Sequence, residues 1–164
     1  MNPIPRSFCL PLSLLLLVFS AQAATLSPTS NADLLPPDAC AATEDGFGAF
    51  FEAVVSNPEA RVAYSATPLA ERSFQNPTQA VQRNSGPFRL ELVDSMWVYD
   101  EPGKDAADLQ RVSLDFHPQG RQIRVNLVRA VFSADEEVIK TWGKPEGYVF
   151  EHTGQCWKLT QHLQ

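Results

Sequence analysis

Apolar residues along this chain follow two periods in succession, and the change from one to the other sets the expected architecture. Phe47, Phe50, Phe51, Val54 and Val55 recur at the three-and-four spacing that places them on one face of a helix. Thr43 or Asp45 is placed to cap its start, Glu44 and Asp45 suit the positive end of the helix dipole, and Pro58 ends it just after Asn57. The spacing predicts a helix over about 43–57. Gly46 and Gly48 weaken it locally, so packing against the rest of the chain must hold it.

From Glu59 to Ser85 the pattern is mixed. Ala60, Val62, Tyr64 and Ala66 alternate as in a short strand, Pro68 and Pro77 interrupt, and Leu69, Phe74, Ala80 and Val81 fit one or two short helices. Beyond Pro87 the period becomes two. Phe88, Leu90 and Leu92 alternate with polar neighbours, and Met96 to Tyr99 prolong the extended region past an irregularity at Asp94-Ser95. Pro102-Gly103 marks a loop. Val112, Leu114 and Phe116 then alternate up to a turn at His117-Pro118-Gln119-Gly120, and Ile123, Val125 and Leu127 return, the consecutive Leu127-Val128 indicating a bulge or deeper burial where the alternation slips.

Ser133 and Glu136 fit a capping box ahead of Val138, Ile139 and Trp142, whereas the β-branched Val138, Ile139 and Thr141 favour a loop followed by a strand over 137–142. Gly143 to Gly147 read as a turn into a closing hairpin. Its arms carry Tyr148 and Phe150, then Trp157 and Leu159, around a reversal at His152-Thr153-Gly154-Gln155. The sum is an α+β domain: a helix at about 43–57 and short irregular helices packed on a curved antiparallel sheet of four to six strands.

The first residues change the picture of where such a domain works. Arg6, the apolar run Leu10 to Phe19 and the small residues Ala21-Gln22-Ala23 have the three parts of a secretory signal, too short to span a bilayer. Residues 1–23 are expected to be a signal cleaved after Ala23, 24–39 a flexible leader poor in large apolar residues, and 40–164 a single domain. Cys9 leaves with the signal. Cys40 and Cys156 remain in an oxidising compartment with one possible pairing, so a disulfide between them is predicted. The formal net charge of -6 argues against nucleic acid and anionic membrane surfaces as partners.

Phe47-x-x-Phe50-Phe51, Arg61-Val62-x-Tyr64 and the terminal Tyr148-x-Phe150-x-x-x-Gly154-x-x-Trp157-x-Leu159 together resemble the nuclear-transport-factor-like superfamily, in particular its exported bacterial members of unassigned function. The resemblance implies a bent sheet wrapping helices around a pocket and a periplasmic location. The superfamily includes isomerases, dehydratases and many proteins with no chemistry.

Motifs for catalysis are sparse. His117, His152 and His162 lack the close spacing of a helical zinc site and read as solvated surface residues, and no cofactor or metal is implied. In a cone-shaped pocket a desolvated carboxylate beside a tyrosine would serve proton transfer next to a carbonyl, which makes Tyr64, Asp94, Asp100 and Asp115 the catalytic candidates. Trp97, Trp142, Trp157 and Arg124 are the candidates for binding, with Arg121 and Arg129 extending the positive stretch. The reading favoured by these observations is a non-enzymatic exported domain holding a protein, as an inhibitor or immunity-type protein would, or a small apolar ligand. The alternative is a small isomerase or lyase. Oligomeric state is left open.

Overall fold

The computed structural model describes residues 31–82 and 88–164, so the expected signal segment, residues 24–30 and residues 83–87 lie outside the described part. Ordered structure precedes Cys40: Asn31–Leu34 form a 3-10 turn, Leu35 packs against the core and Ala39 is buried.

Helix α1 spans Glu44–Ser56, with the Thr43 hydroxyl accepting the Gly46 N–H at 3.1 Å. Pro58 plays a different part from the one its sequence context suggests. Asn57 closes α1 and then caps a second helix, α2 (Pro58–Ala63), through the Glu59 and Ala60 amides, with Pro58 at the first helical position where its missing N–H costs nothing. The alternation of Ala60, Val62 and Tyr64 is therefore helical, not extended.

Strand β1 (Ser65–Arg72) follows, taking the place of the short helices expected around Leu69. The other strands are β2 (Leu90–Val93), β3 (Met96–Tyr99), β4 (Gln110–Gln119), β5 (Gln122–Phe132), β6 (Val138–His152) and β7 (Trp157–Leu163). They form one sheet ordered β1-β7-β6-β5-β4-β3-β2, curled as a half-barrel. The sheet is mixed. β1 runs parallel to β7, and its register shifts between Ser65 and Ala70, where Pro68 has no N–H to offer a ladder. Seven strands thus replace the four to six expected.

Two further differences have local causes. Asp94 and Ser95 both adopt positive φ, 48° and 66°, so they form a tight two-residue turn and the extended region there is the β2–β3 hairpin. Gly143 takes φ 82° yet does not reverse the chain: β6 runs through it and changes register with β5. The β4–β5 turn centres on Gly120 (φ 62°), with His117 and Pro118 still in the strand. The bulge at Leu127-Val128 is present as a register shift, and the 133–137 segment is a turn held by the Ser133 hydroxyl, which accepts the Asp135 and Glu137 amides.

Helix α1 lies in the concave face of the sheet. Phe47, Phe50 and Phe51 pack edge-on against Phe150, and Phe51 also meets Trp97 at 5.3 Å between ring centres. Cys40 and Cys156 stand at disulfide distance, their α-carbons 4.3 Å apart, which ties the approach to α1 to the β6–β7 turn. The same junction carries two hydrogen bonds: His152 Nε2 to Cys40 O at 3.0 Å and Trp157 Nε1 to Ala41 O at 2.9 Å.

Candidate functional site

The concave interior is occupied by aromatic rings, so the space where a pocket acid would work is filled with side chains. The four catalytic candidates are dispersed accordingly. Tyr64 caps α2 and packs its ring on Phe50, Asp94 is exposed in the β2–β3 turn, Asp100 follows the end of β3, and Asp115 is exposed on β4 beside His117, 2.8 Å away. Of the binding candidates, Trp97 and Trp157 are core residues, Trp142 is exposed on β6, and Arg124 is held by Asn126 and the Phe74 carbonyl with its guanidinium over the Phe74 ring.

Two histidines expected in solvent are buried. His152 docks the Cys40 backbone as described. His162, on β7, lies between two carboxylates, with Nδ1 2.9 Å from Glu71 on β1 and Nε2 3.3 Å from Glu146 on β6. An ionised carboxylate only accepts, so two of them facing the two ring nitrogens favour the doubly protonated, charged imidazole. The Tyr99 hydroxyl donates to the other oxygen of Glu146, and Gln164 donates to Glu71 at 3.2 Å. Tyr148 stacks on the His162 ring and receives the Arg89 amide on its hydroxyl.

Burial opposes charge on His162, but the Glu146 hydrogen bond and the nearby charges of Glu71 and Glu146 more than offset it and hold its pKa above the usual histidine value. Burial likewise works against the Glu146 carboxylate, and the donors His162 and Tyr99 outweigh it, leaving its pKa below the carboxylate norm. Burial first, then the Glu146 bond, pushes Tyr99 up to about 12. The cluster faces a polar recess of about 390 Å³. It is poorly made for general base catalysis: His162 has no lone pair to offer, Glu146 is held ionised by two donors, and the Tyr99 proton is already engaged. Nothing in the local sequence marks it, because its members come from four strands.

A second concavity lies where the amino end of α1 leaves the sheet uncovered. This trough of about 550 Å³ is lined by Thr43 and Gly48 on the helix side and by Phe116, Pro118, Ile123 and Trp157 on the sheet side. Phe116 is 44% exposed although its ring meets Phe47 and Phe51. The two helix glycines differ sharply. A Cβ on Gly46 would lie 2.5 Å from the Ala41 carbonyl oxygen, so close packing requires glycine there. A Cβ on Gly48 would meet nothing within 4 Å, yet glycine inside a helix costs about 1 kcal/mol relative to alanine.

Among the described residues, no group of His, Cys, Asp and Glu side chains is arranged to hold a metal ion, and no helix is long and apolar enough to cross a membrane. Comparison with known proteins found no matching family model, no matching curated protein and no matching solved structure. The fold, the recess beside His162 and the trough beside α1 therefore carry the functional argument.

Proposed function

We propose that this chain is an exported, non-enzymatic binding domain whose trough beside α1 receives the apolar part of a small ligand. The observation that carries this reading is Gly48. The helix gives up stability at a position where packing makes no demand for glycine, and the residue borders an apolar trough. Absence of a side chain there keeps the trough open over Phe116 and Ile123. Its volume falls within the range of small-molecule sites, about 300–1,000 Å³. The aromatic filling of the interior and the closed hydrogen bonding around His162 weigh against the isomerase or lyase alternative. A helix seated in a curled sheet suits the resemblance to the nuclear-transport-factor-like superfamily, many of whose members lack chemistry.

Titration with the neutral apolar dye Nile red tests the reading. Wild-type protein is expected to bind the dye with enhanced emission. Gly48→Leu is expected to abolish binding while keeping the circular dichroism spectrum and an equal or higher denaturation midpoint. Dye binding unchanged in a folded Gly48→Leu variant, or none in the wild type, would refute the trough as the site.

A further inference from the structure

Strand β6 is longer than the strands that flank it, and its first half is bare. β7 joins β6 only from Gly147 onward, while β5 covers the opposite edge from Val138. Among the described residues, the outer edge of 138–146 therefore carries no strand, and residues 138–145 are all exposed. Natural proteins rarely leave a long strand edge rich in β-formers open, because its unpaired N–H and C=O groups form a template for another chain. This one displays Val138, Ile139, Thr141 and Trp142, with Ile139 67% exposed. Its hairpin tip is pinned back to β4 by the ion pair of Arg111 with Glu136, so the edge is held in extended form before any partner arrives.

We infer that this edge pairs, antiparallel, with the same edge of a second copy of the chain. The charges of the segment select that partner. Acidic Glu136 and Glu137 precede it, and basic Lys140 and Lys144 lie along it. An antiparallel two-fold arrangement brings Glu137 of one copy toward Lys144 of the other, twice, and places Ile139 and Trp142 within the seam. Elsewhere two copies of a chain with net charge -6 repel, whereas this segment is locally balanced. Pro145, which has no N–H, ends the pairing before the β7 region, so the seam is finite and closes as a dimer rather than extending as a fibre. The pairing is independent of the trough beside α1, which lies against β4, β5 and β7.

Sedimentation equilibrium of the purified protein over a range of concentrations decides the matter. The wild type is expected at twice the chain mass. Ile139→Lys, at an exposed position that leaves the fold intact by circular dichroism, is expected at the monomer mass. Glu137→Lys should weaken the dimer, and Glu137→Lys combined with Lys144→Glu in the same chain should restore it, because the swap re-creates the pair across the seam. A wild-type monomer at every concentration, or a dimer indifferent to Ile139→Lys, overturns the proposal.

Discussion

His162 Nδ1 lies 2.9 Å from Glu71, which makes a buried ion pair the clasp between the last described strand and the parallel edge strand β1. Glu146 extends the clasp to β6 through the other ring nitrogen. One imidazolium therefore joins three neighbouring strands at the point where β1 has β7 as its strand partner.

The clasp makes stability depend on pH in a defined direction. His162 titrates above its ordinary 6.5 in the folded state, so its contribution is complete below pH 6.5 and is lost as pH rises through the raised value. Glu146 titrates below its ordinary 4.5, so its contribution is complete above pH 4.5 and is lost as pH falls through the lowered value. The clasp is thus strongest between about pH 4.5 and 6.5. Urea denaturation midpoints should fall on the alkaline side, and His162→Gln should both cost about 3 kcal/mol at pH 6 and flatten that alkaline limb. Parallel pH profiles for wild type and variant would show that His162 is not the titrating group.

Gly46→Ala should destabilise, although alanine favours helices. The added methyl would press on the Ala41 carbonyl and Cβ, and the backbone there is fixed by the adjacent crosslink and the Trp157 bond. A loss of about 1–3 kcal/mol in chemical denaturation is expected, of the size seen for overpacked sites. A gain would mean that the Ala41 segment yields.

Ser95→Gly should stabilise. Ser95 sits at φ 66° in the β2–β3 turn, a conformation glycine adopts without strain, and Asp-Gly is a favoured pair for such turns. A rise of about 1 kcal/mol is expected from relief of the left-handed strain. A lower midpoint would argue against the two-residue turn.

Reduction, or replacement of both Cys40 and Cys156 by alanine, should lower the unfolding free energy from chemical denaturation by up to about 4 to 5 kcal/mol, as the chain-entropy model gives for a loop of 116 positions. Alkylation followed by mass spectrometry should find neither cysteine reactive without reductant. Two reactive thiols in the native protein would remove the staple.

The parts of this fold that were legible in the sequence are those whose signal is local and repeated. Phe47 to Val55 share one helix face for lack of any other period that fits them, and Cys40 and Cys156, the two cysteines beyond the expected signal, admit a single pairing. The β4–β5 and β6–β7 hairpins follow from apolar residues two apart on each arm around a turn. The missed parts lack such signals. β1 is an edge strand broken by Pro68, with no clean alternation of buried and exposed residues. The Asp94-Ser95 turn uses neither asparagine nor glycine, the residues that announce a tight hairpin. His162 looks solvated because its partners, at positions 71 and 146, are brought to it only by strand order.

The placement of β7 between β6 and β1 also governs the order of events as the polypeptide emerges. β1 has no strand to lie against until Trp157–Leu163 appears about ninety residues later, and the crosslink needs Cys156 from the same late region. A nascent segment in that condition commits to its final shape only once the last strand has been made.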